Sequence, residues 1–440
     1  MAKSFRGGVH PDDRKRYTAS KEIQVAPVPE KVIIPVRQHI GAPCSPIVAV
    51  GDLVKKGQVI AEAQAFVSSP IHASTSGKVV AIAEYPHPVF GTCMAIVIES
   101  DGQDEWLEGL PLSRDWKNIE ASEIKEIIRQ SGMVGMGGAT FPTHIKMAPP
   151  KEKTIHTFIL NGAECEPFLT ADHRVMLEQS ERIVTGMQIA MKVLGVNKGY
   201  IGIEDNKPDA IAAMNKACSG ISSLEVVPLQ TKYPQGAEKT LISVICGTDV
   251  PSGGLPMDVG VVVQNVGTVV AIADAVEKGI PLIERVTTVT GGAVAEPKNI
   301  LFRIGTTFAA AVELCGGFAK QPMKVIMGGP MMGMAQRTLD VPIIKGTSGI
   351  LALSEADVNI GPERPCIRCG RCVEACPMGL VPSMLSILAE RGAYAVAKEN
   401  YDLLDCVECG SCVYVCPAKR NIVHYIKLSK AQNAAMAAKK

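Results

Sequence analysis

Aromatic residues are scarce in this chain, at 4% of 440 positions, and charge of one sign is equally hard to find. Lys and Arg together number 45 against 44 Asp and Glu, a formal charge of +1. Without a strong positive field or rings to stack on bases, neither nucleic acid nor an anionic membrane surface is a default partner. The opening "MAKSFRGGVHPDDRKRYT" lacks the apolar core of a secretory signal. The most apolar stretch, "DVGVVVQNVGTVVAIADAV", is broken by Gln264, Asn265 and Asp274, and reads as a buried strand and helix, not a membrane span. The expectation is a cytosolic chain with no transmembrane segment. HExxH and GxSxG motifs are missing too, so zinc-protease and serine-nucleophile chemistry have no foothold. Lone histidines such as His72, His144 and His173 read as structural.

Cysteine is plentiful by contrast. Of 14 cysteines, eight lie in two runs near the C-terminus. "CIRCGRCVEACP" spaces Cys366, Cys369, Cys372 and Cys376 as C-x2-C-x2-C-x3-C-P, and "CVECGSCVYVCP" repeats that spacing at Cys406, Cys409, Cys412 and Cys416. This is the bacterial ferredoxin pattern for two [4Fe–4S] clusters, in which the fourth cysteine of each run ligates the other cluster. The expected ligand sets are Cys366, Cys369, Cys372 and Cys416 for one cluster, and Cys406, Cys409, Cys412 and Cys376 for the second. Structural zinc also uses C-x2-C pairs, but has no use for a third close cysteine and a Cys-Pro, twice over. Cys44, Cys93, Cys165, Cys218, Cys246 and Cys315 are scattered and read as small core residues.

Length allows about three domains at roughly 100–200 residues each, and 47% hydrophobic content fits a folded chain. Residues 1–30 are polar and proline-punctuated, an extended arm. Residues 31–105 show short β-rich runs between turn signals. Their "GDLVKKGQVIAE…SPIHASTSGKV" pattern resembles biotinyl- and lipoyl-type barrel-sandwich domains, but "EAQAFVSSPIHA" has no lysine where those carriers are modified, so a structural role is expected. From 115 to 284 strands alternate with helices, the signature of an α/β domain with a largely parallel sheet. Residues 285–350 read as a small β-grasp unit of the SLBB kind, and 351–440 as a mainly helical two-cluster ferredoxin-like domain.

The segment "SGMVGMGGATFPTHIKM" holds glycines at 132, 135, 137 and 138. Such density lets backbone approach a ligand and offers N–H groups to an anion. The spacing matches neither Walker A nor G-x-G-x-x-G, and an ordinary glycine-rich turn is the competing reading. "NGAECEPFLTADHR", after an apolar strand, and "YPQGAEKTL", at a helix start, are further candidate ligand loops.

"GMGGATFPTHIK", "NGAECEP", "YPQGAEKTL", "QNVGT" and "GGPMMG", in that order, resemble the flavin- and NADH-binding subunit of respiratory complex I. With "SFRGGVHP", the barrel-sandwich segment and the two cysteine runs added, the chain is closer still to the RnfC family. Those proteins are part of the Rnf complex, a membrane ferredoxin:NAD oxidoreductase that moves ions. The resemblance implies that Gly135, Gly137, Gly138 and Lys146 line the phosphate side of FMN. It implies that Asn161, Glu164, Tyr233, Gly236, Asn265 and Thr268 surround the ring and ribityl chain. Glu166 and Glu238 would lie near the nicotinamide nucleotide, and Phe141 would stack on NAD. Departures from the complex I pattern are Met136 for an arginine, Ala163 and Ala237 for acidic residues, Cys165 for a serine, and no second aromatic near Ala148–Pro149. The implied function is electron exchange between NAD(H), FMN and two [4Fe–4S] clusters, at the cytoplasmic face of a bacterial membrane. The implied partners are the other proteins of an Rnf-type complex, including its iron–sulfur RnfB protein, with ferredoxin reached indirectly. A cobalamin-reductase-type flavoprotein shares these modules but starts near the glycine loop. A non-catalytic electron-transfer or docking scaffold is the other alternative.

Overall fold

The computed structural model describes residues 2–358 and 361–438. At its centre four parallel strands stand in the order Leu224–Leu229, Gly199–Glu204, Thr157–Asn161 and Val261–Asn265. The two inner strands read as near-continuous apolar runs, "TFILN" and "GYIGIE", because helices cover both faces of a parallel sheet. The apolar stretch 258–276 divides as expected into the buried strand Val261–Asn265 and the helix Val266–Lys278. Asn265 caps that helix, its side chain accepting from Gly267 N–H. Ile183, Met187, Ile201, Val269 and Ile272 meet in the main core around the sheet.

Strand order sets where a ligand can bind. From Thr157–Asn161 the chain moves outward to one side for two strands, then returns to add Val261–Asn265 on the other side. Loops leaving the carboxyl ends of those two neighbours part in opposite directions, opening the crevice where open α/β sheets take ligands. Asn161 and Asn265 are the register partners at that point.

Three further units surround this domain. Residues 31–100 form a barrel-sandwich of two antiparallel sheets, one of four strands and one of three, closing on Val32, Ile34, Ile60, Ile71, Val79 and Ile96. The β-grasp sheet has six strands, in the order Ile23–Val25, Lys298–Arg303, Glu284–Thr290, Gly349–Leu353, Lys324–Met327 and Met334–Gln336, with Phe308 of the helix Phe308–Glu313 in its core. Strand Gly349–Leu353 spans positions 350 and 351, so this sheet continues past residue 350. The C-terminal unit is helical around the cysteine runs: Arg371–Glu374, Pro382–Glu390, Tyr394–Asn400, Ser411–Tyr414 and Ile422–Ala438.

The first thirty residues are tied to three of these units. Ile23–Val25 supplies an edge strand to the β-grasp sheet, Lys3 bridges to Leu229, and Val9 bridges to Tyr233. Gly8 N–H donates to the Ala375 carbonyl in the cysteine-rich unit at 2.9 Å.

Candidate functional site

The glycine loop lies over the sheet's crevice. Gly135 N–H donates to the Phe141 carbonyl at 2.9 Å, closing residues 135–141 into a compact turn. Met136 N–H donates to Thr268 Oγ1 at 3.0 Å, tying the turn to the helix that starts at Val266. Gly137 sits against Asn265: a Cβ there would stand 2.8 Å from the Asn265 Cβ, so only glycine permits this approach. At Gly138 an added Cβ would meet no protein atom within 4 Å, which leaves bare backbone facing open space. Such a cradle admits a large anionic ligand.

The opposite wall comes from the "NGAECEP" and "YPQGAEK" loops. Asn161 Nδ2 donates to the Gly236 carbonyl at 2.8 Å and its Oδ1 accepts from Ala163 N–H, holding the two loops side by side. Asn265 Nδ2 donates to Asp172 at 2.6 Å. Lys146 Nζ donates to Glu238 Oε1 at 2.5 Å and lies 3.3 Å from the Val263 carbonyl, so this pair bridges the glycine loop and the helix Glu238–Cys246. Glu164, at a φ of 40°, turns its carboxylate onto the N–H groups of Asp172 and His173 at 2.8 and 3.1 Å, the first turn of helix Ala171–Glu178. Burial, with Glu164 close by, pushes the Asp172 carboxyl up to about 7.

Glu166 and Tyr233 look elsewhere. The Glu166 carboxylate accepts from Met331 and Met332 N–H at 3.1 and 2.8 Å, on the turn before strand Met334–Gln336, and burial pushes it up to about 7. Tyr233 is buried, and its hydroxyl donates to the Cys409 carbonyl at 2.7 Å with Glu166 Oε1 at 3.5 Å. These two residues therefore stand between the crevice loops and the cysteine-rich unit.

Sequence reasoning missed the buried cations beneath the loop. Arg285 Nη2 donates to the Met136 carbonyl at 2.9 Å and its Nη1 to the Lys345 carbonyl at 2.5 Å. Lys345 Nζ donates to the carbonyls of Gly132 and Pro70 at 2.7 and 3.0 Å, clamping the glycine loop to the barrel-sandwich hairpin. Burial lowers Arg285 to about 10 and Lys345 to about 8. Lys15 Nζ, also buried, donates to the carbonyls of Glu164, Glu166 and Leu169 at 2.9, 3.1 and 2.5 Å. The signal was present for two of them: Arg285 and Lys345 each interrupt an apolar run, "PLIERVTTV" and "VPIIKGTSG". The hairpin that Lys345 grips carries Phe66 near its tip, 81% exposed.

The eight cysteines divide between two cavities. One is lined by Cys366, Cys369, Cys372 and Cys416. The other is lined by Cys376, Cys406, Cys409 and Cys412. Each ring thus takes three cysteines from one run and the fourth from the other. The two runs also repeat each other's backbone: Arg368 and Glu408 have φ of 55° and 58°, and their N–H groups approach Cys366 Sγ and Cys406 Sγ, both at 3.4 Å. Four soft donors lining one pocket fit an iron–sulfur cubane. Burial pushes the Cys406 thiol up to about 11, so a thiolate there needs a bound cation to persist. Among the described residues, no three Cys, His, Asp or Glu side chains converge as they would on a single metal ion.

Residues 128–274 match the family model of the Nuo51 FMN-binding domain, and 365–420 that of a 4Fe-4S dicluster domain. Residues 3–103 match the RnfC barrel sandwich hybrid domain, and 286–335 the SLBB domain. The C subunit of the proton-translocating ferredoxin:NAD(+) oxidoreductase complex of Clostridium ljungdahlii is 66% identical, over 99% of this chain and 95% of that protein. The chain belongs to the RnfC family. The C subunit of the Na(+)-translocating complex of Acetobacterium woodii is 50% identical, over 98% of this chain and 97% of that protein. An NAD+-reducing [NiFe]-hydrogenase in the H2-reduced state superimposes with a TM-score of 0.51 at 19% identity, covering 74% of this chain and 65% of that one, a likeness of fold. The chain carries an FMN-binding domain and two [4Fe–4S] clusters in the module order expected from the sequence. No helix among the described residues is long and apolar enough to cross a membrane.

Proposed function

We propose that this chain is the component through which a membrane-bound, ion-translocating ferredoxin:NAD oxidoreductase exchanges electrons with NAD(H), and that it works at the cytoplasmic face. The observation that carries the reading is the segment Lys232–Gly236. At one end the Gly236 carbonyl accepts from Asn161 in the crevice; at the other the Tyr233 hydroxyl reaches the carbonyl of the cluster cysteine Cys409. Two sites so joined form one path.

Bound FMN would take up an electron pair with nicotinamide and pass electrons singly to iron–sulfur groups. The chain's own residues do the rest. Gly137 and Gly138 bring backbone up to the phosphate end, with Lys146 as the nearby cation. Asn161, Gly236, Asn265 and Thr268 set the floor and walls, and Glu164 holds the helix at Ala171 in place. Glu238, partly exposed beside Lys146, is available to a nicotinamide nucleotide, as is Phe141. Glu166 and Tyr233 pack the way to Cys409. Cys366, Cys369, Cys372 and Cys416 would ligate one cluster, and Cys376, Cys406, Cys409 and Cys412 the other. Hydride exchange needs no acid–base pair from the protein.

The test is an anaerobic absorption titration of the cluster-reconstituted protein with FMN and then NADH. Bleaching of the flavin bands together with the iron–sulfur absorption is expected. Clusters that dithionite bleaches but NADH leaves untouched would make the chain a docking scaffold instead.

A further inference from the structure

The two cysteine rings have opposite surroundings. Every hydrogen bond from the flavin domain or arm to the cysteine-rich unit, among the described residues, lands on one side of it. Tyr233 Oη donates to the Cys409 carbonyl at 2.7 Å, Gly8 N–H to the Ala375 carbonyl at 2.9 Å, and Gly253 N–H to Asp405 Oδ1 at 3.3 Å. Gly410 lies so close to the Met331 carbonyl that an added Cβ would stand 2.9 Å from it, and Gly7 is pressed likewise against the Cys376 carbonyl at 2.6 Å. All of these positions lie in or beside the ring of Cys376, Cys406, Cys409 and Cys412. Among the described residues, no hydrogen bond or ion pair from the flavin domain or arm reaches the ring of Cys366, Cys369, Cys372 and Cys416.

That second ring faces outward. Cys369 is exposed, and Ile367, between the first two ligands of the run, is 67% exposed. Arg364, Arg368 and Arg371 are all exposed around it. Among the described residues none of the three makes an ion pair or a side-chain hydrogen bond. Of the carboxylates on this side, Glu363 is occupied by Arg420 and Asn421, which leaves Glu374 on the short helix Arg371–Glu374. The inner ring's loop, "CVECGSC", has no arginine, and its Glu408 is held by Lys430 and Lys427. Three exposed arginines within a few residues of an exposed isoleucine, one of them lining the same pocket as Ile367, make a small docking site with a charge preference.

We propose that the ring of Cys366, Cys369, Cys372 and Cys416 is the outer one, and that its collar of Arg364, Arg368 and Arg371 around Ile367 docks an acidic iron–sulfur electron-transfer domain. This rests on the function proposed above. One electron crosses between the iron–sulfur group of this chain and that of the partner; no bond forms or breaks and no proton moves. The chemistry of the collar selects the partner: carboxylates answer the arginines, and an apolar contact the size of Ile367 suits the brief encounters of redox proteins. Such an encounter weakens as salt screens it.

The experiment measures binding of an acidic two-[4Fe–4S] ferredoxin to the complete, cluster-loaded chain at low and at physiological ionic strength. Three forms are compared: wild type, a double variant with Arg364→Glu and Arg371→Glu, and a control with Lys216→Glu on the helix Pro208–Ala217 of the α/β domain. Neither Arg364 nor Arg371 lines the cluster cavity, so iron content should match wild type and is measured in each preparation. Binding by wild type and the control should weaken with salt, and the double variant should lose at least about tenfold in affinity. NADH bleaching of the chain's own clusters should be equal in all three. Unchanged affinity in the iron-replete double variant, an equal loss in the control, or no binding by wild type overturns the proposal. Should NADH fail to bleach the wild-type clusters while the affinity pattern holds, the NAD-linked function falls and the docking surface stands. Should the double variant lose iron, the single variants Arg364→Gln and Arg371→Gln are read in its place, with a smaller affinity loss expected and unchanged affinity in both counting against the collar.

Discussion

At the scale of single residues, the glycine loop separates two roles that one residue type can play. Gly137 is needed by the protein itself, because a side chain there runs into Asn265. Gly138 faces open space, where the proposed FMN would lie. Gly138→Ala should leave the melting temperature of the flavin-free protein nearly unchanged and weaken FMN binding about tenfold, ~1.4 kcal/mol, by fluorescence titration. Gly137→Ala should lower both. Glu166 carries a pH signature. Burial raises its folded carboxyl to about 7, above its unfolded value, so the folded state binds the proton more tightly. Its contribution to stability is therefore full below the unfolded value and is lost as pH rises toward about 7. Melting temperatures of wild type and Glu166→Gln, taken from pH 5 to 8, should diverge as pH rises, with wild type falling relative to the variant. A constant offset across that range would mean that Glu166 is ionised throughout.

At the scale of elements, helices and strands were legible because period and punctuation agreed. The alternation from 157 to 278 has apolar runs of strand length, amphipathic helices and stops at Gly195, Gly247 and Gly279, all with positive φ. The arm was not legible. Nothing in "DDRKRY" marks Lys15 as buried, since a lysine in a charged run is ordinarily solvated, and only folding brings three carbonyls around its Nζ. It pins the loop from Glu164 to Leu169, which carries Glu166. Lys15→Met leaves those carbonyls without their donor, and urea unfolding followed by tryptophan fluorescence should register a loss of about 2–4 kcal/mol. A loss under about 0.5 kcal/mol, the range of ordinary surface changes, would place Lys15 among them.

At the scale of the whole molecule, the C-terminal unit and the α/β domain are held together by different means. The α/β domain has a broad apolar core around its parallel sheet. The cysteine-rich unit has helices as short as Arg371–Glu374 and Ser411–Tyr414, and its core counts cysteines among its members. Helices of one turn do not persist alone, and a unit of this kind folds around its metal. Removing iron with an oxidant and a chelator should make the chain from 361 to 438 open to protease while FMN binding survives. Loss of FMN binding in step with iron would instead make Tyr233 and the Gly7–Gly8 contact essential to the shape of the crevice.

The sequence by itself determined the order of modules, the two iron–sulfur ligand patterns and the alternation of the α/β domain, because each rests on spacing along the chain. It also marked the glycine loop, though not what the loop is for. Only the tertiary structure decided which side chains meet. It turned Glu166 to Met331 and Met332 and Tyr233 to Cys409, drew Arg285 and Lys345 under the loop, and set one cysteine ring inward and the other outward. Those outcomes depend on the packing of segments up to several hundred residues apart, and a contact made across domains leaves no periodic trace in either partner.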